Sequence, residues 1–167
     1  MDSDGYLSQL AEIFNGITVN TPSISAIIAI VLAGVLLLAS GFASASEIAF
    51  FSLSPSDLND IDEHNHPADE KISALLGDSE RLLATILITN NFVNVTIIML
   101  CNFFFMDVFV FHSPLAEFII LTVILTFLLL LFGEIMPKIY AKHNSLTMAR
   151  RAAGVLTHLE KMFRWLS

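Results

Sequence analysis

No charged side chain occurs between residues 13 and 46 of this 167-residue chain. A run of that length cannot be buried inside so small a globule. A soluble fold also needs a polar surface, and here 55% of the residues are hydrophobic and only 14% are charged. The sequence therefore predicts a membrane protein.

Three stretches reach the roughly 20 apolar residues that a helix needs to cross the hydrocarbon core of a bilayer. We predict an all-α membrane protein, a single domain over residues 1–167, with three transmembrane helices and additional juxtamembrane helices. The predicted spans cover about 23–53, 82–106 and 114–136, and the predicted juxtamembrane helices cover about 55–80 and 140–167.

The basic residues predict the orientation of these spans. They are Lys71 and Arg81 between the first two spans, and Lys138, Lys142, Arg150, Arg151, Lys161 and Arg164 after the third. Because Lys and Arg collect on the cytoplasmic side of a membrane, we expect the N-terminus outside and the C-terminus in the cytoplasm. No basic residue precedes the first apolar run, as a signal peptide would require, so we expect the first helix to be retained.

The segments outside the spans carry local helix signals. Ser54 and Pro55 fit a helix N-cap and the first helical position. The tail repeats apolar residues at the spacing of an amphipathic helix, which predicts that it lies on the membrane or packs on a partner. The acidic residues of the segment 54–81 are interpreted as a solvated helix face, or alternatively as a cation attractor. His64 and His66 are expected in an exposed loop, with a metal-binding pair as the alternative.

Polar residues recur inside all three predicted spans. An intramembrane carboxylate costs about 2.5–3.5 kcal/mol on insertion scales and usually faces a partner or a water-filled cavity. Each residue alone is also explained by helix packing, because Ser and Asn often bond a neighbouring helix. The candidates are Ser40, Ser44 and Glu47 on one helix face of the first span, Asn90 and Asn94 one turn apart in the second, and Gly133 and Glu134 at the end of the third.

The chemistry of these groups favours a hard cation. Hydroxyls, amide oxygens and one carboxylate suit Mg²⁺, Ca²⁺ or Na⁺ rather than zinc or copper. Pro137 adds a further oxygen, because in an α-helix its missing N–H would have bonded the carbonyl of Gly133. Broken helices with free carbonyls bind cations in several transporters. A simple kink is the alternative interpretation.

Three segments carry a resemblance to a known family. They are SGFASASEIAFFSLS from Ser40, LLATILITNNFVN from Leu82, and LLFGEIMPKIYAKHNS from Leu130. Together they resemble the transmembrane domain of the CorC/CNNM (cyclin M) family of magnesium transporters, in the same order and spacing over nearly the whole chain.

The resemblance implies a homodimer of three-span protomers in the cell (inner) membrane, in contact with lipid, that exports Mg²⁺ in exchange for Na⁺. Ser46 and Asn91 lie next to motif positions, and Glu47 is expected to act in gating or coupling. The cytoplasmic CBS domains of the family are expected to be absent from a sequence that ends at Ser167. The residues that the resemblance places around a dehydrated Mg²⁺ are Ser40, Ser44, Asn90, Asn94, Gly133 and Glu134.

Other functions fit the sequence less well. A non-transporting membrane subunit of a larger assembly, like gliding-motility or haemolysin-like relatives, is the main alternative. An enzyme is not expected, because neither an HExxH motif nor a basic partner for an intramembrane serine is present. A net charge of −8 argues against nucleic acid as a partner. Cys101 is expected to be a packed thiol.

Overall fold

The computed structural model describes residues 3–64 and 66–166. Three helical stretches in it are long and apolar enough to cross a membrane. This confirms the predicted all-helical, three-span architecture, while the orientation of the termini stays a prediction. In chain order the elements are α1 (Ser3–Asn15), β1 (Thr18–Val19), α2 (Ile24–Phe51), α3 (Pro55–Asp62), α4 (Asp69–Leu76), α5 (Ser79–Val108), β2 (Phe109–Val110), α6 (Pro114–Leu128), a π-helix (Leu129–Ile135), α7 (Met136–His143) and α8 (Ser145–Leu166).

The third span is not a regular α-helix. It runs from Pro114 to His143 as α6, the π-helix and α7 in succession. The sequence predicted a break at Pro137, and the structure places the change of helix type on its N-terminal side. A π-helix carries i→i+5 bonds and often occurs at functional sites.

By internal packing the chain divides into two compact units. The first contains Met1–Leu36 and Val95–Leu128. In it, β1 pairs antiparallel with β2, with Thr18 opposite Val110. The Ser23 amide donates to the Asp107 carboxylate at 2.8 Å, and the Asn20 amide donates to the Val108 carbonyl at 2.6 Å. These contacts hold the segment before α2 against the end of α5.

The second unit contains Leu37–Asn94 and Leu129–Ser167 and has its own hydrophobic core. The C-terminal half of α2 contributes small residues to this core, and the short helices and α8 contribute aliphatic side chains. Small residues let helices approach closely. The core consists of Ala45, Ala49, Phe50, Ile61, Ile72, Leu75, Leu82, Ile86, Ala141, Met148, Ala149, Ala152, Ala153 and Leu156.

The predicted juxtamembrane segment of about 55–80 forms two helices, α3 and α4, with His64 and His66 between them. Its start is as predicted: the Ser54 hydroxyl accepts a hydrogen bond from the Asp57 amide at 3.2 Å, and the Asp57 carboxylate accepts one from the Ser54 amide at 2.9 Å, with Pro55 at the first position. α3 ends at Asp62, and His64 then adopts a left-handed φ of 53°. That backbone conformation cannot continue a right-handed helix.

The amphipathic tail forms α8, and its apolar face packs within the chain itself. Ala149, Ala153 and Leu156 are fully or almost fully buried in the core of the second unit. The sequence predicts that this face lies on the membrane or on a partner, and the structure differs from that prediction. The difference arises because α4 and the end of α2 supply the apolar surface that α8 needs, and periodicity alone does not reveal which surface a helix covers.

A buried ion pair joins α4 to α8. The Asp69 carboxylate is fully buried and accepts hydrogen bonds from Arg150, at 2.9 Å from Nε and 3.3 Å from Nη2. The His66 amide also donates to Asp69, at 3.0 Å. The hydrogen-bonded Arg150 guanidinium lowers the pKa of Asp69 below its ordinary value of 3.8, and burial opposes that effect without reversing it.

We expect Asp69→Asn to destabilise the protein by about 3 kcal/mol in thermal unfolding in detergent, because it leaves the Arg150 charge without its counter-ion. Asp78→Asn is the matched control. Its pair with Arg81, at 3.7 Å, is about half exposed, so we expect a loss below about 1 kcal/mol.

The same pair of variants gives a pH test. Because the pKa of Asp69 is lowered in the folded state, its stabilisation is complete above the ordinary pKa of 3.8 and is lost as the pH falls through the lower folded value. The difference in the free energy of unfolding between wild type and Asp69→Asn should therefore be constant near neutral pH and shrink in acid. Equal stability of the two Asn variants would contradict this account.

Candidate functional site

The hydroxyl of Ser40 is the point where the polar residues of the spans meet. Ser40 is fully buried in α2. Its Oγ lies 2.8 Å from Asn90 Oδ1 and 2.7 Å from Asn94 Oδ1, both on α5. A hydroxyl has one proton and can donate to only one of these oxygens at a time. Three oxygens therefore converge within hydrogen-bond distance with a single proton among them.

The π-helix lies against the same serine. A Cβ atom built on Gly133 would be 3.2 Å from Ser40 Oγ, which is tighter than most real contacts. One residue further along α2, a Cβ on Gly41 would be 3.0 Å from Pro137 Cγ and 3.3 Å from the Phe132 carbonyl oxygen. Glycine at both positions allows the close approach of the two backbones. Asn90, Asn94 and the backbone at Gly133 are thus neighbours of Ser40.

The π-helix changes the argument about the freed carbonyl. In an α-helix the missing N–H of Pro137 would have bonded the Gly133 carbonyl, but with i→i+5 spacing it would have bonded the carbonyl of Phe132. Phe132 is therefore a second candidate, which the sequence argument missed because it assumed α-helical spacing. The carbonyl oxygen of Phe132 is also the one that closely approaches Gly41.

Glu134 follows Gly133 directly and is partly buried. Its carboxylate has no hydrogen bond or ion pair to any other described residue. Among the described residues, no three His, Cys, Asp or Glu side chains lie close enough together to hold a metal ion. That Glu134 acts together with neutral oxygens stays a prediction.

Two buried hydroxyls near these residues lack a partner in the described part of the chain. Ser44 is 1% exposed and lies one turn after Ser40, and its Oγ has no hydrogen bond. Thr89 Oγ1, next to Asn90, is likewise buried and unbonded. A buried polar group without a partner is uncommon and requires an explanation, such as an ion.

Thr89 was missed by the sequence analysis. A helical threonine usually bonds the carbonyl four residues before it, as Thr85 and Thr157 do here at 2.8 and 2.7 Å. Nothing in the sequence distinguishes Thr89 from these two. Only the structure shows that the hydroxyl of Thr89 has no hydrogen-bond partner among the described residues.

Three neighbouring polar residues have other surroundings. Ser46 is buried, but its hydroxyl bonds the Phe42 carbonyl at 2.7 Å. Asn91 is exposed on α5. The Glu47 carboxylate lies 4.0 Å from the Lys138 ammonium on α7, with 27% of its side chain exposed. Ser46 and Asn91 therefore serve as matched comparisons for Ser44 and Asn94.

The loop histidines are occupied by local backbone contacts. His64 Nδ1 lies 2.9 Å from the Ile61 carbonyl, and His66 Nδ1 accepts from the Ala68 amide at 3.1 Å. These contacts use one ring nitrogen of each histidine. A metal-ligating histidine commonly makes a hydrogen bond through its other ring nitrogen, so the metal pair stays a prediction.

Fold and site together define a three-span helical membrane protein with a buried oxygen cluster. The profile of the family described as Cyclin M transmembrane N-terminal domain matches residues 24–167. The chain belongs to this family, and the predicted resemblance is confirmed. The family is a transporter-type membrane domain associated with divalent-cation transport, not an enzyme class.

A curated relative gives the same grouping. The chain is similar to a UPF0053 protein of Haemophilus influenzae, with 32% identity over 127 residues. That match covers 76% of this chain and 29% of the relative, so the chain spans less than a third of the relative's length.

The contact between Gly133 and Ser40 can be tested by a single methyl group. We expect Gly133→Ala to destabilise the protein by about 1–3 kcal/mol, because the added Cβ would crowd Ser40 Oγ at 3.2 Å. Gly34→Ala, on the same helix as Ser40, is the control, since its Cβ would meet no atom within 4 Å. Thermal unfolding in detergent measures both, and equal unfolding temperatures would refute the close packing.

Proposed function

We propose that this protein transports Mg²⁺ across the membrane and that the ion binds, without its water shell, among the oxygens around Ser40. The observation that carries the proposal is the convergence of Ser40 Oγ with the amide oxygens of Asn90 and Asn94, at 2.8 and 2.7 Å. Membership of a family associated with divalent-cation transport supports it.

The spacing of these oxygens suits a small ion. Mg²⁺ takes six oxygens at about 2.0–2.1 Å, so adjacent ligands of its octahedron are about 2.9 Å apart. Ca²⁺ holds its ligands at about 2.3–2.6 Å and needs more of them. The separations of 2.8 and 2.7 Å from Ser40 Oγ are ordinary hydrogen-bond distances, and they also match the separation of adjacent ligands around Mg²⁺.

Each proposed ligand has a distinct part in this site. Ser40, Asn90 and Asn94 supply the three oxygens that already converge. Ser44 supplies a buried hydroxyl that has no other bond, and Glu134 supplies the charge. One carboxylate with neutral oxygens compensates only half of the charge on Mg²⁺, which favours release as well as binding. Gly133, the sixth proposed ligand, contributes its backbone carbonyl, with the Phe132 carbonyl as an alternative.

The proposal extends to the wider setting of the protein. We propose that it is a multi-pass protein of the cell (inner) membrane, that it acts as a homodimer, and that a Na⁺ gradient drives Mg²⁺ export. Glu47 and Lys138 form the contact between α2 and α7 that we propose for coupling, because movement of the π-helix end would break their 4.0 Å pair. These statements rest on the family and on the residues named here.

Mg²⁺ flux in proteoliposomes under imposed Na⁺ gradients tests the function. We expect Ser44→Ala, Asn94→Ala and Glu134→Ala each to reduce flux about 10- to 100-fold, because each removes an oxygen ligand. Ser46→Ala and Asn91→Ala are matched controls that should transport like wild type.

Two results would overturn the proposal in different ways. If wild type moves no Mg²⁺ under any Na⁺ gradient, the protein is a non-transporting membrane subunit. If wild type transports but Asn94→Ala and Glu134→Ala transport equally well, the function stands and the site is wrong.

A further inference from the structure

The first helix, α1, has a clean division between apolar and polar residues. Its large apolar side chains recur at i, i+1, i+4, i+7 and i+8, which places them on one helix face. All of them are exposed: Tyr6 by 70%, Leu7 by 62%, Leu10 by 50%, Ile13 by 38% and Phe14 by 64%. The helix buries no residue at all. It also lies outside residues 24–167, the part of the chain that matches the family.

The orientation of α1 is opposite to that of an amphipathic helix in a soluble protein. Its polar residues Gln9 and Glu12, and Ile13 at the edge of the apolar face, line a cavity of about 380 Å³ together with Gly16, Phe111, His112, Ser113 and Ala116. The apolar side chains of Leu7, Leu10 and Phe14 do not line that cavity. In water this arrangement would expose a continuous apolar face, which soluble monomers avoid.

The position of α1 along the chain indicates what covers this face. A Cβ on Gly16 would lie 3.5 Å from the Cβ of His112, two residues before α6 begins. The segment that follows is held against the end of α5 by the pairing of β1 with β2. Within this unit, the C-terminal end of α1 therefore lies beside the start of α2, the end of α5 and the start of α6. We call this position along the helices the level of α1.

We assign that level to the membrane surface because α2, α5 and α6 belong to the helical stretches long and apolar enough to cross a membrane. The first turns of α2 and α6 also expose large apolar side chains, among them Ile24 by 78%, Leu115 by 68% and Phe118 by 68%. These residues belong to helices long and apolar enough to span a bilayer, where exposed apolar side chains are expected to face lipid. The apolar face of α1 continues this lipid-facing surface into the boundary between headgroups and acyl chains.

We propose that α1 is an interfacial helix that lies on the bilayer surface, with Tyr6, Leu7, Leu10, Ile13 and Phe14 in the acyl boundary. Its described residues contain Asp4 and Glu12 and no Lys or Arg, so attraction to anionic lipid does not hold it there. Instead, its apolar area holds it, together with the short tether to α2. The helix would fix the depth at which the first span begins.

Spin-label accessibility in vesicles of zwitterionic phosphatidylcholine tests this proposal. Single cysteines are placed in the full chain at Leu7, Leu10 and Phe14, and as matched controls at Ser8 and Asn15. The buried Cys101 is replaced by alanine, and the labelled wild type gives its background. We expect the three apolar positions to collide several-fold more with lipid-soluble oxygen than with a water-soluble nickel chelate, and the controls to show the reverse.

Either of two other patterns of spin-label accessibility would overturn the proposal. Access to the nickel chelate on both faces would place α1 in water. Shielding of the apolar positions from both reagents would mean that a second copy or another protein covers them. If labelled variants are not recovered folded, Leu10→Trp and Ser8→Trp in a Trp165→Phe background give the same comparison. Bromine-labelled lipid should then quench the fluorescence of only the first. Neither measurement depends on Mg²⁺ transport.

Discussion

The candidate site depends on the complete burial of one hydroxyl, that of Ser40. It touches the amide oxygens of Asn90 and Asn94 and lies against the backbone at Gly133, so residues from all three spans meet at one atom. A buried polar group must be satisfied, and a half-satisfied network costs stability. The single proton of Ser40 cannot satisfy two amide oxygens, and a cation can.

Helix packing is the competing explanation of this cluster. If one asparagine amide turned its NH₂ group toward Ser40, the hydrogen bonds of the network would be satisfied without a cation. The network would then simply hold α2 against α5. That rotation leaves the buried hydroxyl of Ser44 still without a partner, and it gives no role to the carboxylate of Glu134. A cation site accounts for both, which is why we favour it.

The sequence was sufficient for the three spans, for the start of α3 and for the proximity of Ser40 to Asn90 and Asn94. Span length and composition are properties of a bilayer, and the cap at Ser54 is local chemistry, so both can be read from a few neighbouring residues. The π-helix, the partner of α8 and the unbonded hydroxyl of Thr89 could not be predicted in this way. Each depends on tertiary contacts, such as the close approach of α2 to α7, where a Cβ built on Gly41 would lie 3.0 Å from Pro137 Cγ.

The most direct test of the central claim is an anomalous-scattering map from crystals grown with Mn²⁺, which shares the preference of Mg²⁺ for hard oxygen ligands. The account predicts one peak in the membrane-spanning region, in direct contact with oxygens of Ser40, Asn90 and Asn94, at slightly more than the 2.0–2.1 Å typical of Mg²⁺. A peak elsewhere would contradict it. The account would also be contradicted if crystals at saturating Mn²⁺ showed no peak and an asparagine NH₂ group were turned toward Ser40.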